Sequence, residues 1–112
     1  MQIIGVPYDN GSIARGFGKA PQMKIYTIGD DKTVVGQKLV DVDGSGHGPR
    51  LKIMLDNKVT VLICSGIGAP AALATEKAGI DVWSSIEGDA DEAVNAYLNN
   101  QLFHIVPSTH KD

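Results

Sequence analysis

Residues 61–83, VLICSGIGAPAALATEKAGIDVW, restrict the fold more than any other stretch, because they read as strand, glycine turn, helix and second strand in one unbroken unit. The apolar run 59–64 is short and rich in strand-forming residues, as a buried strand is. Gly66 and Gly68 permit a tight turn. The alanine-rich segment 69–77 has high helix propensity, with an apolar face expected through Ala71, Leu73, Ala74 and Ala78, and Gly79 is placed to close it. A strand that enters a helix through Ser-Gly-x-Gly leaves backbone N–H groups unpaired at the helix start, where an anion is favoured. Cys64 stands at the end of that strand. The unit therefore marks a place for an anionic group or a thiophilic metal species.

The remaining segments supply a sheet for this unit to join. Residues 2–6 read as a short apolar strand, and 7–21 as a long polar loop carrying Asp9, Arg15, Phe17, Lys19 and the Gly16/Gly18 pair. Residues 22–28 and 33–42 read as strands joined by a hairpin turn at Gly29-Asp30-Asp31. A second glycine-rich loop, 43–49, leads into a short amphipathic helix over 49–56, with Pro49 suited to its first turn and Leu51, Met54 and Leu55 at helical spacing. A last helix over 89–98 places Ala90, Ala93, Val94 and Tyr97 on one side, and Asp89, Asp91 and Glu92 favour its N-terminus. Residues 1–103 are expected to form one domain and 104–112 a flexible tail, since the end of the chain shows no periodicity.

Charge and cysteine count narrow the function classes. A chain of 112 residues, 43% hydrophobic and with a net charge of -3, can bury one modest core and has no basic excess to hold a nucleic-acid backbone. One cysteine excludes an internal disulfide and any CxxC zinc pair, so a reducing, cytoplasmic setting is expected. The chain starts on a strand-like segment, MQIIGVP, rather than on a charged region followed by a long apolar run; neither a signal peptide nor a membrane span is expected.

The element order β-β-β-α-β-α-β-α predicts an α/β fold, a five-stranded mixed sheet with helices packed on it. If the first three strands form an antiparallel meander and the later strands run parallel to the first, the loops after strands one, three and four emerge at one edge. Open α/β sheets bind ligands there. Those loops carry Arg15, Phe17, Gly18 and Lys19; Gly46, His47 and Gly48; and Ser65, Gly66, Ile67 and Gly68. Each side chain has a plainer reading as well. Cys64 is either a buried small hydrophobe or a ligand whose thiolate the helix start favours. His47, between glycines, is either a solvated loop residue or a ligand. Arg15 and Lys19 are ordinary loop charges unless the loops converge, and Phe17 can simply anchor its loop. Met54 and Trp83 read as structural, and His104 and His110, in or near the tail, are set aside.

Three blocks carry a family resemblance. Phe17-Gly18-Lys19-Ala20-Pro21 is similar to an FGRAP signature, Ile67-Gly68-Ala69-Pro70 with Ala78-Gly79-Ile80-Asp81-Val82 to an IGP…AGI-x-V block, and residues 92–98 to an EA-x-x-x-L helix. In this order and spacing they resemble the dinitrogenase iron-molybdenum cofactor biosynthesis family, across nearly the whole chain. The resemblance implies a ribonuclease H-like fold and the binding or carriage of a metal-sulfur cluster containing molybdenum or iron, as in cofactor carriers and small orange molybdenum proteins; molybdenum-sulfur, iron-sulfur and mixed copper species all suit an amide-lined, cationic pocket with one thiol. It also implies cofactor-biosynthesis or redox proteins as partners. One departure matters: many family members place His before the Phe-Gly pair, where this chain has Gly16. Soft ligands must then come from Cys64 and His47, or the cluster must be held through N–H donors and the cations Arg15 and Lys19.

The rival class is a two-metal nuclease, which needs several carboxylates gathered around ions about 4 Å apart. Asp9, Asp41 and Asp43 lie at or near strand ends, but no acidic residue occupies the end of the Cys64 strand. Neither a Ser-His-Asp order nor a P-loop lysine motif is present. Non-catalytic cluster binding is the expected function, with nuclease and cofactor-free protein adaptor as alternatives.

Overall fold

A computed structural model describes residues 2–102 of the chain; the expected tail, with Phe103, His104 and His110, lies outside the described residues. Strands β1 (Gln2–Asp9), β3 (Gln22–Ile28), β4 (Val34–Asp41), β5 (Val61–Ile63) and β6 (Asp81–Trp83) form a continuous mixed sheet in the order β4-β3-β1-β5-β6. A sixth strand, β2 (Ser12–Ile13), pairs with the end of β1. Helices α1 (His47–Asp56), α2 (Ala69–Lys77) and α3 (Ala90–Leu98) pack on the sheet. The β1–β3 and β3–β4 pairs are antiparallel, whereas β1–β5 and β5–β6 are parallel. Strands β1, β4, β5 and β6 thus all end at the same edge.

The fold is α/β with six strands rather than the expected five. The segment after residue 6 is not simply loop: β1 runs on through Pro7 to Asp9, turns at Asn10 and Gly11 (φ 50° and 95°) and returns as β2. Asn-Gly is the dipeptide that a two-residue hairpin with two left-handed positions demands. The hairpin also fixes α3, because Ile13 N–H donates to the Gly88 carbonyl (2.8 Å) and Ala90 N–H to the Gly11 carbonyl (3.1 Å).

The two faces of the sheet bury separate apolar clusters. On one, Ala90, Ala93 and Val94 of α3 cover Ile4, Val6, Tyr26, Ile28, Val61 and Ile63. On the other, Met54 of α1 and Ala71 of α2 cover Met23, Ile25, Leu62, Cys64 and Val82. The expected helix faces need correction here. Leu73 is 54% exposed and Leu55 49% exposed, and Ala78 faces solvent. In α2 the buried pair is Ala71 and Thr75, with Thr75 Oγ1 donating to the Ala71 carbonyl at 2.8 Å. Residues two apart in a helix point to opposite sides, so Ala71 and Leu73 cannot share a buried stripe. Gly79, at φ 89°, follows the Ala78 cap in the left-handed conformation that ends a helix.

One polar lock fastens α3 to the sheet. Tyr26 Oη–H donates to Asp91 Oδ1 at 2.6 Å, Lys24 Nζ donates to the same oxygen at 2.8 Å, and the ammonium lies 5.2 Å from the rings of both Tyr8 and Tyr26. Lys24 and Tyr26 are buried, while the Asp91 side chain is 58% exposed. The Lys24 and Tyr26 hydrogen bonds hold the Asp91 carboxyl below the usual carboxylate range. Burial, and then the bond to Asp91, push Tyr26 above the usual phenol range. A carboxyl with a lowered folded pKa contributes stability above about pH 4 that disappears as pH falls through the lowered value, and a raised phenol contributes stability that fades above about pH 10. Asp91→Asn should therefore flatten the acid limb of the stability curve at a cost of about 1 kcal/mol near neutrality. Asp91→Ala should cost about 1–3 kcal/mol because it strands the Tyr26 hydroxyl. Urea unfolding followed from about pH 3 to pH 8 checks both, and an unchanged acid limb in Asp91→Asn would show that the lock does not govern it.

Candidate functional site

Three loops meet at the edge where β1, β4 and β5 end, and backbone hydrogen bonds join them. Gly66 N–H donates to the Arg15 carbonyl and Phe17 N–H to the Gly66 carbonyl, both at 2.8 Å, a small parallel bridge that stitches the first loop to the one after β5. Gly66 has to be glycine: a Cβ there would stand 2.8 Å from the Arg15 carbonyl oxygen, closer than carbon and oxygen tolerate. Phe17 is buried among Met23, Met54 and Cys64 and anchors a single 3₁₀ turn, Phe17–Lys19. Arg15 and Lys19 stand exposed on either side of it.

The loop after β4 joins the same cluster. Gly46 N–H donates to the Gly18 carbonyl at 3.0 Å, which brings the two backbones into van der Waals range. Gly46 itself (φ 86°, ψ −175°) occupies a region open essentially to glycine alone. His47 follows as the first residue of α1 and is half-buried.

Beneath these loops lies a residue that the sequence reading passed over. Arg50, 3% exposed, donates from Nη1 to the carbonyls of Gly44 (3.1 Å) and Gly46 (2.8 Å) and from Nη2 to that of Ala20 (2.6 Å). Its buried Nε has no acceptor among the described residues. A signal for it was present. Arg50 falls near the start of α1, where the helix dipole disfavours a cation, and such a breach of local preference marks a residue held for another reason.

The helix starts at this edge differ in kind. Neither α1, capped by Gly46, nor α2, capped by Gly68, receives a side-chain cap, and neither has an acidic residue in its first turn. Their first N–H groups thus present partial positive charge to solvent. Helix α3 is capped by Asp89, whose carboxylate accepts from Glu92 N–H at 2.9 Å, and carries Asp91 and Glu92 in its first turn. Gly46, Gly48, Gly66 and Gly68 are exposed, Ser65 and Ile67 half-buried, so the loop edge is an open surface rather than a cleft. A cavity of about 380 Å³, lined by Gln2, Lys32, Trp83, Tyr97 and Leu98, lies elsewhere, between the start of β1 and the later turns of α3.

Cys64 does not join this surface. It is 0% exposed within the cluster of Phe17, Met23 and Ala71, and burial pushes its thiol up to about 12. The expectation of a thiolate at the helix start is corrected on that ground: an apolar core penalises the charged form more than a nearby helix dipole favours it. Among the described residues no three His, Cys, Asp or Glu side chains gather as a metal-ion site, and Asp9, Asp41 and Asp43 are exposed. The donor set fits an anion held by amides and cations better than a metal ion held by side-chain ligands. Native Cys64 should therefore resist aromatic disulfide reagents near neutral pH and react only on unfolding; rapid labelling of the folded protein would contradict its placement. Gly66→Ala should lower stability by about 1–3 kcal/mol, since the Arg15 carbonyl has to shift, and should expose the Phe17 amide to hydrogen exchange.

The profile of the family described as "Dinitrogenase iron-molybdenum cofactor" matches residues 1–100. A search of the curated proteins finds no match. Among solved structures, the fold resembles that of PH0822 at a TM-score of 0.82 and 18% identity, covering 89% of this chain and 91% of that one. It also resembles the apo form of the orange protein from Desulfovibrio gigas, at 0.75 and 22%, covering 90% of each chain. The MJ0327 protein of Methanocaldococcus jannaschii matches at 0.74 and 20%, over 88% of this chain and 89% of its own. These identities establish a shared fold, and the profile, running over nearly the whole length, establishes the kinship: the chain belongs to the dinitrogenase iron-molybdenum cofactor family.

Proposed function

We propose that this protein binds and carries an anionic metal-sulfur cluster containing molybdenum, with copper or iron, on the open surface formed by its three glycine-rich loops. The observation that carries the reading is the convergence of those loops around two helix starts without side-chain caps, in a chain of this family. Sulfide-rich clusters are anionic and polarisable, and they accept hydrogen bonds from amides. The first-turn N–H groups of α1 and α2 supply donors, Arg15 and Lys19 supply mobile charge at the rim, and the half-buried Ile67 offers an apolar contact beside Ser65, Gly66 and Gly68. His47 is the accessible borderline ligand on the same loops; with Cys64 in the core, direct ligation rests on its imidazole. An exposed, amide-lined surface holds cargo without enclosing it, as transfer to cofactor-biosynthesis or redox partners in the cytoplasm requires.

The strand order supports a ribonuclease H-like assignment. With the two-residue β2 set aside, a three-stranded antiparallel meander is followed by two strands added parallel to its first. That arrangement carries no catalytic implication by itself.

Anaerobic protein incubated with tetrathiomolybdate, with and without cuprous ion, should retain molybdenum through gel filtration and show visible absorption distinct from the free anion. Arg15→Ala with Lys19→Ala should weaken retention about tenfold, equivalent to about 1.4 kcal/mol shared between two exposed charges, with little change in thermal stability. His47→Ala should shift the visible bands, whereas Cys64→Ser should leave them in place. Wild-type protein that stays colourless and metal-free under these conditions would favour the adaptor reading instead.

A further inference from the structure

The loop edge could be held together without a charge. Three carbonyl oxygens can be satisfied by neutral donors, and burying a guanidinium is costly unless something answers its charge. Yet Arg50 is 3% exposed, makes all its bonds to the neutral carbonyls of Ala20, Gly44 and Gly46, and leaves Nε unpaired. Among the described residues no carboxylate forms an ion pair with it; the pairs there join Lys24 to Asp91 and Lys52 to Asp56. Asp43, beside the same loop, is exposed and therefore screened by water.

The three acceptors are not incidental. Ala20 ends the first loop, and Gly44 and Gly46 flank the turn of the second. A carbonyl drawn down onto Arg50 cannot project its negative end toward a ligand above the loop. Each bond therefore removes an acceptor from the binding surface, and together they tie the first loop to the second. The buried charge stands at that junction with no counter-ion of its own.

We infer that Arg50 converts this edge into an anion receptor, by turning the carbonyls of Ala20, Gly44 and Gly46 inward and by supplying a buried positive charge whose counter-charge is the ligand. The inference rests on the carrier reading and adds to it the residue that sets the sign of the surface. Arg15 and Lys19, at the rim, act through solvent and are weakened by salt; Arg50 acts from below and is screened much less.

The test uses the full chain with tetrathiomolybdate as the probe, its affinity measured by equilibrium dialysis at low and at physiological salt. Arg50→Gln keeps a donor to the carbonyls and loses the charge; it should weaken binding by about tenfold or more at both salt concentrations. Arg50→Lys can carry the charge but not the three-carbonyl fork, and should fall between wild type and Arg50→Gln. Asp91→Ala, which loosens α3 on the opposite face of the sheet, is the control for lost stability and should bind as wild type does. Equal affinity of Arg50→Gln and wild type overturns the inference, as does an equal loss in Asp91→Ala. Should Arg50→Gln fail to fold, Arg15→Ala with Lys19→Ala decides with Arg50 intact: residual affinity that persists at physiological salt supports the buried charge, and affinity that vanishes there overturns the inference. Failure of the carrier reading looks different: wild type itself would not bind the probe at either salt concentration.

Discussion

A guanidinium taken out of water has to be met by oxygen atoms, and in this protein those atoms are the backbone carbonyls of two loops. Arg50 binds Ala20, Gly44 and Gly46 together. Gly46 in turn donates to Gly18, and Phe17 and Arg15 exchange hydrogen bonds with Gly66. The chain of contacts runs from α1 through the first loop to the start of α2 without a break. Remove the cation and the carbonyls must find other partners, which at this edge means water. Two glycines in the chain of contacts stand where a side chain would hold the backbones apart or strain the turn: Gly66 by contact distance, Gly46 by its dihedral angles.

The two faces of the sheet divide the work. Helix α3 is capped, acidic at its start and locked through Asp91 to Tyr26 and Lys24, so its N-terminal N–H groups and its charge are used internally. Helices α1 and α2 spend nothing on side-chain caps. Both kinds of helix begin at the same edge of one sheet, and the difference between them is confined to a few side chains. That asymmetry leaves the starts of α1 and α2 without side-chain caps, while the start of α3 is closed by Asp89 and carries Asp91 and Glu92.

On the proposed carrier reading, an open surface of amides explains why residue chemistry alone says little about the cargo. Backbone donors discriminate by shape and charge, not by element, and they suit a cluster with sulfide at its surface better than a bare cation. The buried thiol reinforces the point. Cys64 packs with Phe17 and Met23 and helps hold the 3₁₀ turn in place, which is a structural contribution to the same surface.

The sequence by itself determined the order of the five principal strands and the three helices, the parallel unit around residues 61–83, the two glycine-rich loops that join it at one edge, and the family blocks; hydrophobic period and glycine placement are local and survive without a third dimension. The Asn10-Gly11 hairpin was equally local and legible, but the glycine-rich stretch after it obscured the signal. What only the tertiary structure decided was orientation. Leu73 turned outward and Thr75 inward because the helix is rotated by what it packs on, not by its own composition. Cys64 went to the core instead of the mouth because it carries the alternation of β5 one residue past Ile63, on the same side as Leu62, which is the side that α1 and α2 cover. Arg50 acquired its role from carbonyls four, six and thirty residues away, a set of partners that no local pattern encodes. A long-range acceptor exists only once the loops have met, and it is the folded chain that brings them together.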